Sequence, residues 1–221
     1  MSYKHQYVDG SSIHFAVGKV VCIGRNYAEH AKELNNPIPT EPLIFIKPST
    51  AIVSSNGGFT IPHNQGAVHY EAEIAVLIGK PLSGPVNHKE IQEAIVGFAP
   101  ALDLTLRDVQ SRLKERGWPW ELAKSFDGAC VLTPFTPASS YPDLTDINVR
   151  LTINNEVRQE GNSSQMLTPI INLIEYIAHY FTLLPGDVIL TGTPQGVGAL
   201  NTGDRLIMEL PEHCQFVTEV I

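Results

Sequence analysis

HYEAEIAVLIGK, residues 69–80, carries the signal of a buried strand together with a contradiction of it. Ala72, Ile74, Ala75, Val76, Leu77 and Ile78 form the continuous apolar run of a buried strand. Glu71 and Glu73 interrupt its first half. Alternate side chains of a strand share a face, so both carboxylates point the same way, about 6.6 Å apart along the backbone. At an effective dielectric near 20, two negative charges at that distance repel by about 2.5 kcal/mol. Burial would add a desolvation cost. Either this end of the strand is a solvated face, or a cation belongs between the two acids.

Working outward, similar apolar, β-branched runs recur at KVVCIG (19–24), PLIFIK (42–47), AIVGFAPALD (94–103), NVRLTINNEV (148–157), DVILTG (187–192) and DRLIMEL (204–210). Several are bounded by Gly or Pro, as in LPGD before one strand and NTGD before the next. Helical periodicity is clear within 164–186, where Ile170, Leu173, Ile174, Ile177, Ala178 and Phe181 recur at three- and four-residue steps until Pro185-Gly186. Shorter helices are expected at YAEHAKEL (27–34) and LTLRDVQSRLKER (104–116). Strands dominate and do not alternate regularly with helices, which argues against a doubly wound parallel sheet. The expected class is α+β: a β-rich body with helices at its rim.

The length of 221 residues suits a single domain, 1–221, with a short N-terminal extension over about 1–18. A formal charge of −8 argues against a nucleic-acid partner, which needs a basic face. Cys22, Cys130 and Cys214 lie far apart without a CxxC pair, as in a chain kept in a reducing compartment. The first residues lack a signal-peptide core, and no apolar run approaches the roughly 20 residues of a membrane span. The expectation is a cytoplasmic protein with no membrane contact. The Asn162-Ser163-Ser164 sequon is then a coincidence.

A third acid joins the opening pair. Asp103 ends the run 94–103 where a helix is expected to begin. Three carboxylates are hard oxygen ligands and, without Cys or paired His, suit Mg²⁺ or Mn²⁺ better than zinc. The alternative is a solvated face with Asp103 as a helix N-cap. In DLTLRDVQ, Asp103, Arg107 and Gln110 fall on one helical face at i, i+4 and i+7. They form either an intrahelical ion pair or a set reaching a substrate. Lys124, in GWPWELAKSFDG, has apolar surroundings, although a lone lysine is usually solvated.

GTPQGVG (192–198) lacks the Lys-Ser/Thr ending of a phosphate-binding loop, and the chain has neither GxSxG nor HExxH. The turn either connects two strands or offers backbone N–H groups and the Thr193 hydroxyl to an anion. His30 and Glu33 share a helical face at i, i+3, as a surface pair or as an oriented base. Arg25 precedes that helix and is a candidate substrate contact, and Asn26 could cap it. NNPIPTEP (35–42) is rich in turn formers and could hinge it. Cys22 and Cys130 read as core.

Six motifs then occur in order: GRNYAEHAKE, FIKPSTAI, HYEAEIAVLIGK, GFAPALDLTLRD, GWPWELAKSFD and LTGTPQGVG. From about Lys19 to Leu210 the sequence resembles the fumarylacetoacetate hydrolase family, in particular its short single-domain members that act on acylpyruvates. The resemblance implies the family's mixed β-roll and a homodimer. It implies Glu71, Glu73 and Asp103 as Mg²⁺ ligands, Lys124 in contact with a bound keto acid, and Thr193 holding its carboxylate. His30 and Glu33 would be the catalytic pair on a mobile lid helix. The extra N-terminal domain of full-length fumarylacetoacetases is not found here, which disfavours fumarylacetoacetate as substrate.

The implied activity is a Mg²⁺-dependent acylpyruvate hydrolase, cleaving acetylpyruvate, fumarylpyruvate or a similar 2,4-diketo acid to pyruvate and a carboxylic acid. Decarboxylation or keto–enol tautomerisation of oxaloacetate would use the same site. A non-catalytic keto-acid-binding module would have no use for His30 and Glu33.

Overall fold

The computed structural model describes residues 3–221. In chain order its first half contains β1 (Val20–Gly24), α1 (Ala28–Glu33), β2 (Leu43–Lys47), β3 (Ile52–Ser54), β4 (Val68–Tyr70), β5 (Ala72–Ile78), α2 (His88–Ala94), β6 (Ile95–Asp103) and β7 (Thr105–Leu106). There follow α3 (Arg107–Glu115), α4 (Glu121–Lys124), β8 (Cys130–Leu132), β9 (Thr136–Pro137), β10 (Asn148–Ile153) and β11 (Glu156–Asn162). The chain closes with α5 (Ile170–Tyr180), β12 (Val188–Leu190), β13 (Gly198–Ala199), β14 (Arg205–Leu210) and β15 (Cys214–Glu219).

The fold is mixed α+β with few helices. Its main sheet runs β2-β1-β12-β5-β6-β8-β3, with β9 beside β6, and curls into a half-barrel. β1 lies parallel to β12 and β3 parallel to β8, and the remaining pairs are antiparallel. A second, antiparallel sheet runs β11-β10-β14-β15, and a small one runs β13-β4-β7.

Both faces of the main sheet are covered, which is why β5 reads as an unbroken apolar run. Ile74, Val76 and Ile78 enter the larger core, where β10 packs against β5 and β14 against β6. Ala75 and Leu77 alternate with them and meet Cys22, Ala99, Ala101 and Leu190 in a smaller core on the opposite face. Each fully buried Val, Leu or Ile contributes about 1.5–3 kcal/mol. The segment before β1 seals the smaller core: Tyr3, Tyr7, Phe15 and Val17 pack on it, and buried His5 reaches Gly186 O at 3.0 Å.

α5 buries the expected stripe of Ile170, Leu173, Ile174, Ile177 and Ala178. Three expectations are corrected. The run 148–157 is a hairpin, because Asn154 and Asn155 hold φ of 51° and 68° and reverse the chain between β10 and β11. The helix expected over 104–116 begins at Arg107, because Thr105–Leu106 pair as β7 with β4. Ala94 closes the helix α2 rather than opening β6. That helix has a capping box between Asn87 and Glu90. Among the described residues no helix is long and apolar enough to cross a membrane.

Candidate active site

Strand register gathers the acids. β5 and β6 pair with Glu73 opposite Ala101, and Asp103 N–H donates to Glu71 O at 2.9 Å. Glu71 and Asp103 are therefore cross-strand neighbours, with Glu73 two residues along on the same face. One oxygen from each of the three lies within 4.8 Å of the others. Glu71, Glu73 and Asp103 are 5%, 1% and 1% exposed, so this is not a solvated face. Nor does Asp103 cap a helix: Leu106 occupies the N-cap of α3.

The helical face expected for Asp103, Arg107 and Gln110 does not form, because β7 separates Asp103 from α3. Arg107 pairs instead with Glu71, its Nη2 donating to Oε1 at 2.5 Å, while Nη1 donates to Gln110 Oε1 at 2.8 Å. Lys124 is buried, and its Nζ donates to Glu71 Oε2 and Asp103 Oδ2, both at 2.7 Å. A second buried ammonium, Lys47, lies 2.8 Å from Asp103 Oδ1 and also donates to Lys124 O. The sequence reading assigns Lys47 no role. Its one signal is a lysine closing the apolar strand LIFIK, and its register opposite Val20 carries it to the face of the smaller core.

Glu73 differs from its neighbours. No Lys, Arg or His forms a salt bridge with it among the described residues, and its Oε2 accepts only the Gly192 N–H, at 2.6 Å. Burial, then the charges of Asp103 and Glu71, push the Glu73 carboxyl well above the usual carboxylate range. Burial would raise Glu71 too, but Lys124, Arg107 and His30 hold it below that range. Lys124 stays an ammonium: burial lowers its pKa, and Asp103 and Glu71 more than reverse this. Three converging carboxylates, one without a cation of its own, fit a hard divalent ion such as Mg²⁺ or Mn²⁺.

α1 covers this cluster. His30 is buried on it, with Nδ1 3.2 Å from Glu33 Oε2, and Glu33 Oε1 accepts the Gly196 N–H at 3.0 Å. With Nδ1–H turned to Glu33, Nε2 keeps its lone pair. Residues in the left-handed region, Arg25 at φ 60° and Asn35 at φ 52°, bracket the helix. Asn26 does not cap it. Its side chain instead ties Thr168 and Thr191 to this end of the main sheet.

Arg25, His30, Glu71, Glu73, Lys124 and Thr193 line one pocket whose free volume is only about 30 Å³, so α1 is closed over it. With α1 in this position the pocket is far smaller than the roughly 300 Å³ or more of a typical small-molecule site. Thr193 lines this pocket, and its hydroxyl donates to Ala72 O and accepts from Gln159 Nε2, both at 2.8 Å. Gln159, on β11, also goes unremarked in the sequence.

Residues 19–221 match the family described as fumarylacetoacetate (FAA) hydrolase C-terminal. The chain is 45% identical over 212 residues to oxaloacetate tautomerase YcgM of Escherichia coli (strain K12), covering 96% of each chain. It is 41% identical over 187 residues to the mitochondrial oxaloacetate tautomerase FAHD1 of Bos taurus, covering 85% of this chain and 84% of that one. Among solved structures, fumarylpyruvate hydrolase from Pseudomonas aeruginosa in complex with Mn²⁺ and pyruvate superposes with a TM-score of 0.90 at 33% identity, over 100% of this chain and 96% of that one. Agreement over nearly the whole length, in sequence and in fold, makes the chain a member of the fumarylacetoacetate hydrolase family.

Proposed function

We propose that the chain is a divalent-cation-dependent enzyme that interconverts the keto and enol forms of oxaloacetate. This replaces acylpyruvate hydrolysis, the activity implied by the motifs alone, as the leading reading. The observation that carries it is the meeting of His30 and Lys124 on one small pocket above three carboxylates. Tautomerisation needs one group to move a proton and a positive charge beside an oxygen, and no nucleophile. The oxaloacetate tautomerases at 45% and 41% identity support the same reading.

Glu71, Glu73 and Asp103 would hold the cation, which when bound supplies Lewis-acid polarisation of the 2-oxo group. The protein's own groups do the rest. His30 Nε2 would take a proton from C3 and pass it to the C2 oxygen to complete the enol, while Glu33 keeps the ring oriented through Nδ1–H. The Lys124 ammonium, fixed by Glu71 and Asp103, offsets charge developing on the C2 oxygen. Closure of α1 keeps bulk water from the C3 carbanion.

A second reading, hydrolysis of a fumarylpyruvate-like diketo acid, is favoured by the same dyad. With Glu33 anchored on Gly196 N–H, His30 could deprotonate a water instead of C3–H.

One assay separates these readings: enol absorbance of oxaloacetate and pyruvate release from oxaloacetate and fumarylpyruvate, measured with Mg²⁺ or Mn²⁺ and after chelation. Expected is accelerated loss of the enol with little pyruvate, abolished by chelation and reduced about 10²-fold or more by His30→Ala. Faster pyruvate release from fumarylpyruvate would establish the second reading. Pyruvate from oxaloacetate in step with enol loss would make the chain a decarboxylase.

A further inference from the structure

Two further cations line the pocket, Arg25 and Lys114, which neither the carboxylates nor the proton-transfer groups use. We propose that Arg25 and Lys114 form a subsite for the second carboxylate of a dicarboxylic 2-oxo acid, so that the site selects dianions over monoanions. The inference rests on the keto-acid reading above, but not on which reaction is run.

Both residues line the same pocket as His30 and Lys124, and both are partly buried. Glu71 and Asp103 there already pair with Lys47, Lys124 and Arg107, and Glu73 forms no salt bridge among the described residues. Arg25 and Lys114 are surplus. Neither forms a salt bridge among the described residues, and the Lys114 ammonium donates only to a neutral amide, Asn36 Oδ1 at 2.8 Å. Burial, then the charges of Arg25 and Arg107, lower the Lys114 pKa. In a chain of net charge −8, such a local positive excess is no general property of the surface.

The backbone gives independent support. Arg25 sits at φ 60°, a conformation that costs a residue with a Cβ about 1–2 kcal/mol and that Gly would adopt freely. A long cationic side chain at a position suited to glycine indicates that the side chain is required there. Placement explains what it does. Arg25 lies where the chain enters α1 and Asn36 where it leaves, while Lys114 belongs to the last turn of α3. An anion held by Arg25 and Lys114 would thus meet both ends of the lid and fasten it. The 2-oxo acid end of the substrate would lie toward Lys124 and the acid triad.

The test uses an unreactive pair of 2-hydroxy acids that differ in the second carboxylate, malate and lactate. Both are titrated calorimetrically into the Mg²⁺-loaded full chain. Native protein is expected to bind malate at least tenfold more tightly than lactate. Lys114→Met and Arg25→Met should each lower malate affinity about tenfold and leave lactate affinity unchanged, while Lys114→Arg retains the preference. Turnover of oxaloacetate should lose ground mainly in KM. Equal binding of malate and lactate by the native chain, or an unaltered preference in both Met variants, overturns the subsite and leaves the keto-acid site standing. Failure of both acids to bind overturns the two readings together.

Discussion

Glu73 is buried with only the Gly192 N–H on its carboxylate, whereas Glu71 and Asp103 each contact two cations. In the metal-free protein its raised carboxyl binds a proton more tightly folded than unfolded. Its contribution is therefore most favourable below the ordinary value of 4.5 and is lost as pH rises from there through the raised folded value. Glu73→Gln removes that slope, so the metal-free variant is expected to melt at or above the native temperature at neutral pH. Saturating Mn²⁺ should reverse the order. The native chain gains about 2.7 kcal/mol at a hundredfold excess over Kd, and the variant gains less. Calorimetry with chelator and with Mn²⁺ reads both, and a metal-free variant that melts lower would refute this account. The triad was legible from sequence because its logic is local: two acids of one parity in a strand and one at the end of another. Lys47 was not, because a lysine closing a strand looks like an exposed terminus until the β1–β2 register is known.

Local chemistry also explains which elements were legible. α5 showed itself through an apolar stripe that tertiary packing then buried. The hairpin β10–β11 was hidden because Val149, Leu151 and Ile153 alternate correctly and the run continues past its own turn. Its signal was the pair Asn154-Asn155, the residue type that tolerates positive φ at both central positions of a two-residue turn. α2 had a signal of the same kind, Asn87 followed three residues later by Glu90. The turn can be tested apart from the site. Asn155→Ala keeps a β-carbon at φ 68° but removes the short polar side chain that eases the left-handed region, and is expected to cost about 1 kcal/mol, read from the urea midpoint, whereas Asn155→Gly should be neutral or slightly stabilising. Equal midpoints for the two variants would mean that the turn does not govern the hairpin.

At the scale of the whole molecule, the active site depends on a sheet that contributes none of its acids. β11 is an edge strand of the second sheet, and its exposed alternation in EVRQEGN offers no hint of involvement. Yet Gln159 is buried: Oε1 accepts the Ala72 N–H, while Nε2 donates to Thr193 Oγ1 and Pro194 O, each at 2.8 Å. Ala72 lies between Glu71 and Glu73, so this one amide fixes the backbone that aims both carboxylates and the turn that closes beside them. Gly161 completes the contact, since a β-carbon there would lie 2.7 Å from Pro194 Cβ. Such pairings join residues far apart in sequence, and no periodicity announces them. Gln159→Leu keeps the volume but strands the Ala72 N–H without its acceptor, at about 1–3 kcal/mol per buried group left unpaired. It should also weaken Mn²⁺ binding by about 10–100-fold, as loss of a group that orients metal ligands does. The neighbouring exposed Arg158→Ala, which loses only a surface pair with Glu156, should change neither. Thermal melts and Mn²⁺ titration on both variants decide the matter. A Gln159→Leu protein that melts early yet binds Mn²⁺ like the native chain would reduce the second sheet to a structural cover, whereas a parallel loss of both would make the two sheets one functional unit.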